Sequence, residues 1–267
     1  MKSNKTGKNK EEPPKISARG KISTGILGLN KLLEGGIPEK SVVMLAGSAG
    51  TGKTIFSLQF LTEGAKKNER GLYLTFEENE DKIHDQAAQF GWNLKDLGKR
   101  NLIRVQSIFD VGIVEILQQI KKQMDDFKPK RMVIDSITFV SLSALTAKKL
   151  IDLEKTSIAE IYETMDEVHR AVNVEGLVLR KLIVDFVRIM QSKGITTLLT
   201  SEVPRESVWY SRDTFTEFAC DGIIHLKSTS IGADMHRTVE IVKMRNTKVK
   251  GGIYSFNFDE TGIKVNV

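Results

Sequence analysis

The chain has 267 residues, 40% of them hydrophobic, and a formal net charge of +6. This is enough apolar sequence for one large globular domain or two small ones. The single cysteine, Cys220, excludes an intrachain disulfide and fits a reducing compartment. No apolar run approaches the length of a membrane-spanning helix, and the basic N-terminus lacks the apolar segment of a signal peptide, so we expect a cytoplasmic protein without a membrane partner.

The positive charge is concentrated at the N-terminus. Residues 1–21 carry seven basic and two acidic side chains, a net of +5, which leaves +1 for the other 246 residues. This stretch has almost no apolar side chains, and we expect residues 1–20 to form a disordered basic tail. Such a tail is either simply solvated or an arm that binds polyanions without specificity. Residues 21–267 are predicted to form one domain.

The first elements of that domain surround a glycine-rich stretch. Residues 23–25 predict the cap of a short helix that ends at Leu33. The apolar run at 42–46 predicts a buried strand, and the apolar residues after Thr54 recur at helical spacing. Between them, Gly47 to Thr54 has the spacing Gly, four residues, Gly-Lys-Thr. Strand, glycine loop and helix is the arrangement that this nucleotide-binding pattern requires.

The glycine loop predicts a site for nucleotide phosphates. Glycines let successive N–H groups turn toward an anion, and the following helix adds the positive end of its dipole. Lys53 can reach the β- and γ-phosphates, and the Thr54 hydroxyl can bind Mg²⁺. We therefore expect ATP to contact Ser48, Ala49, Gly50, Thr51, Gly52, Lys53, Thr54 and Ile55. The alternative is a loop that merely turns the chain, and the flanking elements argue against it.

Further strands alternate with helices up to residue 200. Strands are predicted at 71–76, 102–105, 131–136 and 195–200, and helices after Asn79, at 112–126 and from about 175 to 192. This alternation predicts an α/β fold with a mostly parallel sheet and helices on both faces. Three C-terminal strands are predicted at 222–227, 237–245 and 252–258, and the latter two are expected to form antiparallel pairs at the sheet edge. Asp135, at the end of its strand, can hold Mg²⁺ directly or through water.

One segment, residues 143–175, does not fit the alternation of strands and helices. Its apolar side chains recur at helical spacing with charges between them. We interpret it as a helical insertion that lies across the sheet or against a protein partner.

Two charged pairs add to the candidate site. Glu77 and Glu78 follow a strand, and one of them can activate water; strand alternation favours Glu77. Alternatively, the two glutamates merely begin a helix, where the dipole favours acidic residues. Lys243 and Arg245 lie on one face of an alternating strand. Their spacing suits a phosphate, but it also fits a charged edge strand that discourages aggregation.

In this order, these motifs resemble the KaiC family within the RecA-type ATPases. The resemblance covers about residues 22–263 except near 143–175, and its most specific parts are the double glutamate and the Lys243-Met244-Arg245 stretch. It implies a RecA-like core that assembles as a homo-oligomeric ring, usually a hexamer, with ATP and Mg²⁺ between subunits.

The resemblance also implies roles for individual residues. Glu77 and Glu78 would be the catalytic glutamates, and Lys243 and Arg245 would reach the γ-phosphate of ATP in the neighbouring subunit. Gln89 and Phe90 would contact the nucleotide base, and Thr247 would lie near the phosphates.

The predicted function is slow, Mg²⁺-dependent ATP hydrolysis by a nucleotide-dependent ring with a regulatory or assembly role. A recombinase-like ATPase that processes single-stranded DNA is the alternative, because the loop at 203–216 offers Arg205, Trp209, Tyr210 and Arg212. An ordinary loop with exposed aromatic side chains is the favoured interpretation of those residues. A third hypothesis is a non-enzymatic scaffold whose segment 143–175 binds a protein partner.

Overall fold

The fold is built on one large sheet. The computed structural model describes residues 20–109, 112–140, 180–181, 183–232 and 234–267. The strands are β1 (Lys21–Ile22), β2 (Ile37–Pro38), β3 (Val42–Gly47), β4 (Gly71–Thr75), β5 (Ile103–Ser107), β6 (Arg131–Asp135), β7 (Thr196–Glu202), β8 (Gly222–Ile231), β9 (Asp234–Met244), β10 (Ile253–Asp259) and β11 (Gly262–Val265). The helices are α1 (Leu29–Leu32), α2 (Lys53–Lys66), α3 (Glu80–Ala88), α4 (Leu94–Lys99), α5 (Ile113–Phe127) and α6 (Thr216–Ala219), and residues 183–192 are also helical.

Within the described residues, nine strands form this sheet in the order β11-β10-β9-β8-β3-β7-β6-β4-β5. Adjacent strands in the run β8-β3-β7-β6-β4-β5 are parallel, whereas β9, β10 and β11 add antiparallel strands at one edge. β1 and β2 form a separate antiparallel pair. The predicted α/β fold, with a mostly parallel sheet and antiparallel C-terminal edge strands, is confirmed.

Apolar side chains on β3 alternate between two cores on opposite faces of the sheet. Val43 and Leu45 belong to a core that includes residues of α2, α3 and α4. Val42 and Met44 belong to a second core with residues of α5 and of the helix at 183–192. Both faces are therefore covered, which is why this strand consists of a continuous apolar run rather than an alternating one.

The glycine loop leaves the sheet at its centre. β3 pairs with β7 on one side and with β8 on the other, and the loop follows the carboxyl end of β3. The chain then crosses through α2 to β4, which lies beyond β7 and β6. In open α/β sheets, such a reversal of strand order opens a crevice at the carboxyl edge, where ligands bind.

Two sequence predictions about the fold are wrong. α1 begins at Leu29 rather than at residues 23–25, because Gly25 and Gly28 have φ angles of +75° and +87° that a helix does not allow. The C-terminal region contains four strands rather than three, since β11 pairs with β10. The segment 143–175 and residues 1–19 lie outside the described residues.

Candidate active site

The loop between β3 and α2 is constrained at two glycines. A Cβ atom on Gly47 would lie 2.6 Å from the backbone oxygen of Leu226. Gly52 has a φ of +100°, and a Cβ atom there would lie 2.6 Å from the ring of Phe258. Side chains are excluded at both positions, so the backbone itself forms the surface of the loop.

The loop borders a cavity of about 380 Å³ at the carboxyl edge of the parallel strands. The predicted residues that line it are Ala49, Gly50, Gly52, Lys53, Thr54, Ile55, Glu77, Glu78 and Asp135. Thr75, Gln86, Ser136, Glu202 and Phe258 also line it. Ser48 and Thr51 are not part of the lining. The buried Thr51 hydroxyl donates to the carbonyl oxygen of Ser48 at 2.8 Å and closes the loop on itself.

Lys53 is buried at the base of the loop. Its ammonium group donates to the carbonyl oxygens of Gly47 at 2.9 Å and Ser48 at 3.0 Å, and it lies 3.9 Å from Glu202 Oε1. Burial lowers the pKa of Lys53, and nearby carboxylates, Glu202 first, oppose this shift. The two carbonyl partners are neutral. A phosphate in the loop would offer the ammonium a stronger, charge-assisted hydrogen bond.

The Asp135 carboxylate is held by three hydroxyl groups. Its Oδ1 accepts from Thr200 Oγ1 at 2.6 Å, and its Oδ2 accepts from Thr54 Oγ1 at 3.4 Å and from the Tyr73 hydroxyl. Burial raises the pKa of Tyr73 well above its usual value, and the Asp135 charge adds to this effect, so Tyr73 remains a donor. The Thr54 and Asp135 oxygens are hard donors that fit Mg²⁺, which takes phosphate and water oxygens as its other ligands.

A preformed metal cage is not needed for such a site. Within the described residues, no cluster of three or more His, Cys, Asp or Glu side chains could hold a metal ion by itself. Mg²⁺ commonly binds through one or two protein oxygens together with substrate phosphates. The pair formed by Thr54 and Asp135 is consistent with that mode.

Both glutamates face the cavity. β4 ends at Thr75, whose hydroxyl accepts from the Glu78 N–H at 3.1 Å and donates to the Glu78 carbonyl oxygen at 2.9 Å. Glu77 and Glu78 therefore lie in a turn beyond the strand, and strand alternation does not separate them. Ser136 donates to Glu77 Oε1 at 2.6 Å, and Gln86 donates to Glu78 Oε2 at 2.7 Å.

The predicted cations Lys243 and Arg245 lie at the other end of the sheet. Met244 between them pairs with Gly222, which pairs with Val43 near the start of β3. The loop begins four residues further along β3, which corresponds to about 13 Å at roughly 3.3 Å per residue. Neither Lys243 nor Arg245 lines the cavity beside the glycine loop.

Local contacts hold both cations at that edge. Lys243 Nζ donates to the carbonyl oxygen of Glu217 at 2.9 Å, and Arg245 Nη1 lies 3.6 Å from Asp221 Oδ1. Burial lowers the pKa of Lys243, and the neighbouring Arg245 lowers it further. The side chain of Arg245 is 56% exposed, so it is accessible to another molecule.

The three residues expected around the base and phosphates are not part of the cavity wall. Gln89 is exposed at the end of α3. The Phe90 ring lies 5.2 Å from the ring of Trp92 and 6.3 Å from the ring of Phe258. Phe258 lines the cavity, so its ring lies between Phe90 and the cavity. Thr247 accepts a hydrogen bond from the Lys21 ammonium, away from the loop.

The loop at 203–216 exposes fewer aromatic groups than its sequence suggests. Tyr210 is half-buried, with its ring edge-on to His225 at 5.1 Å. Trp209 is 46% exposed, and Arg205 and Arg212 are also exposed. Of the four residues named from the sequence, Trp209 is therefore the one with an exposed aromatic side chain on which a base could stack.

Several residues that organise the cavity have no role that the sequence alone predicts. Ser136 and Glu202 were visible as polar positions at the ends of two strands, and those ends meet at the same edge as the loop. Tyr73 lies two positions before Thr75 on β4, so alternation places both on one face. The link from Tyr73 to Asp135 depends on the neighbouring strand, which the sequence does not identify.

The topology and the loop after β3 define a RecA-like P-loop ATPase fold. A family model described as the KaiC ATPase matches residues 22–168 and 157–267. The chain therefore belongs to the KaiC family of ATPases. Within the described residues, no helix has the length and apolar content that crossing a membrane requires.

Individual relatives agree with this assignment. A UPF0273 protein of Pyrococcus horikoshii is 30% identical over 245 residues, which cover 92% of this chain and 93% of that protein. The circadian clock oscillator protein KaiC of Parasynechococcus marenigrum is 30% identical over 258 residues, but they cover only 44% of its length. A crystal structure of a KaiC-like protein from Pyrococcus horikoshii superposes with a TM-score of 0.72 at 29% identity and covers 93% of this chain and 100% of that chain.

Proposed function

We propose that the chain binds ATP with Mg²⁺ and hydrolyses it slowly, at sites that are completed when subunits assemble into a ring. One observation carries this proposal. Lys53, Thr54, Asp135 and the two glutamates line one cavity, while the two cations expected at the γ-phosphate lie at the far end of the sheet. A second subunit could supply the missing positive charge.

The residues of the cavity would have different roles in phosphoryl transfer. The backbone of the glycine loop would cradle the phosphates, and Lys53 would exchange its carbonyl partners for phosphate oxygens. Thr54 and Asp135 would hold Mg²⁺, which neutralises charge on the phosphates. Thr200 and Tyr73 hold the Asp135 carboxylate in place, since both donate to it.

The two glutamates are the candidates for orienting the attacking water. Glu77 and Glu78 are each fixed by one side-chain donor, Ser136 and Gln86 respectively, and each retains a second oxygen that can accept from water. A fixed carboxylate can orient water and take its proton without reorganising during the reaction. We assign the catalytic role to this pair, with Gln89, Phe90 and Thr247 in the nucleotide contacts that assembly would complete.

Steady-state phosphate release tests the cavity directly. We expect Lys53→Ala and Glu77→Gln to reduce turnover by about a hundredfold or more, because each removes a group that acts on the reacting phosphate or water. Lys66→Ala, on an exposed position of the same helix, and Glu260→Gln, on an exposed turn, serve as matched controls with unchanged turnover. Unchanged turnover in Lys53→Ala or Glu77→Gln would contradict the proposed site.

Light scattering coupled to size exclusion tests the assembly. We expect Mg²⁺ and ATP together to shift the protein from smaller species toward a closed ring, with six subunits as the expected number. A monomer with undiminished ATPase activity would contradict the role of assembly. We further propose that such a ring acts in regulation or assembly in the cytoplasm.

A further inference from the structure

A second groove lies beside the glycine loop. β3 ends at Gly47, which pairs with Leu226, whereas β8 continues to Ile231. Beyond Leu226, β8 pairs with β9 on one side, and no described strand covers its other side. A cavity of about 310 Å³ runs along this open edge, between β8 and the residues 203–205 that follow β7.

The groove is positively charged. Arg205 and Lys227 line it, and neither forms an ion pair or a side-chain hydrogen bond with a described residue. None of the residues that line it is acidic. Strand alternation places Thr229 on the same face of β8 as His225 and Lys227, and its hydroxyl group adds a donor there. Two free cations and this hydroxyl group match the oxygen atoms of a phosphate group.

A buried histidine forms part of the same wall. His225 is only 8% exposed, and its Nδ1 has no hydrogen-bond partner among the described residues. Such unpartnered buried atoms are rare in folded proteins and often mark a place where a ligand or water completes the structure. Burial, followed by the charge of Lys227, lowers the pKa of His225 to about 4, so the ring is neutral near pH 7.

We propose that this groove binds a small phosphate-bearing anion through Arg205, Lys227 and the hydroxyl group of Thr229. The site is separate from the one proposed for ATP, but the two are neighbours. Ser48 lines the groove, and its carbonyl oxygen accepts from the Lys53 ammonium at 3.0 Å. A test must therefore distinguish phosphate in the groove from phosphate in the glycine loop.

Titration with inorganic phosphate at low ionic strength, followed through the ring resonances of His225, provides that test. His225→Gln assigns the signal, since the chain has four histidines. We expect a saturable shift in the wild type and in Lys53→Ala. Arg205→Ala and Lys227→Ala should each raise the half-saturating phosphate concentration by about fivefold, and Lys95→Ala, an exposed lysine on α4, should not.

Two results would overturn the proposal. One is the absence of a saturable His225 shift in the folded wild-type protein. The other is a shift that survives in the Arg205→Ala/Lys227→Ala double variant but is lost in Lys53→Ala, which would place the phosphate in the glycine loop. Thermal unfolding of each variant shows that it is folded. Because Lys53→Ala is expected to reduce hydrolysis strongly but to leave this binding intact, failure of one proposal is distinguishable from failure of the other.

Discussion

Mixed assemblies of two inactive variants test whether Arg245 acts on a neighbouring subunit. Glu77→Gln subunits lack the water-activating carboxylate but keep the cation, and Arg245→Ala subunits have the reverse defect. The structure separates the two groups, because Met244, next to Arg245, aligns through β8 with Val43, near the start of β3. We expect each variant alone to be inactive and an equimolar mixture, combined before assembly, to recover activity.

The size of the recovery follows from counting interfaces. A cavity is complete when its own subunit has Glu77 and its neighbour has Arg245. With random mixing each condition holds half of the time, so about one quarter of the sites should be active whatever the number of subunits in the ring. Arg245→Ala alone should lose about 10³- to 10⁵-fold in turnover, the range for an arginine that stabilises a phosphoryl-transfer transition state.

Phosphate release by the mixture, compared with each variant at the same total concentration, gives the result. Activity no higher than the sum of the two variants would refute the assignment of Arg245 to a neighbouring site. So would an Arg245→Ala variant with wild-type turnover. Arg100→Ala, an exposed arginine after α4, is the matched control and should remain active.

Three other positions give further predictions. Tyr73→Phe removes a donor to the proposed magnesium carboxylate, and the Mg²⁺ concentration for half-maximal phosphate release should rise about tenfold. Gly52→Ala places a Cβ atom 2.6 Å from the Phe258 ring at a φ of +100°, and urea unfolding should show a loss of about 1–3 kcal/mol. His225 has a pKa of about 4. The unfolded state therefore binds the extra proton, and the free energy of unfolding should fall by about 3 kcal/mol between pH 7 and 4, a fall that His225→Gln removes.

Matched changes separate these effects from general damage. Tyr254→Phe removes a hydroxyl on β10, where it donates to the carbonyl oxygen of Gly251 at 3.2 Å, and should leave the Mg²⁺ dependence unchanged. Gly251→Ala places its Cβ atom in open space and should not alter stability. The pH profile should persist in His236→Gln, because His236 is exposed. An equal response in a control would contradict the corresponding prediction.

Local sequence patterns were sufficient to place the elements around the glycine loop. The apolar run at 42–46 and the glycine spacing after it predict a buried strand, a loop and a helix, and β3 and α2 occupy those positions. Asn79 was predicted to cap α3, and its side chain accepts from the Lys82 N–H at 3.0 Å. These features depend on neighbours within a few residues, which is why they can be predicted from a single sequence.

Contacts between distant segments could not be derived in the same way. Phe258 lies against Gly52 because β10 and β11 fold back over the start of α2, and no local pattern indicates that approach. The turn after β4 is a smaller case: the hydroxyl of Thr75 binds the backbone of Glu78 and ends the strand. The preference for Glu77 over Glu78 rests on strand alternation, which does not apply to residues in that turn.

If ATP binds as proposed, the charges around the cavity disfavour a triphosphate in one subunit alone. Four carboxylates line it, those of Glu77, Glu78, Asp135 and Glu202, and Lys53 is the single cation among the described lining residues. Such a cavity repels a polyanion unless further positive charge arrives. Mg²⁺ supplies part of it, and the exposed Arg245 of a neighbour is a second source that the fold places at its surface. A requirement for both would make hydrolysis depend on assembly even though the phosphate loop is complete in each chain.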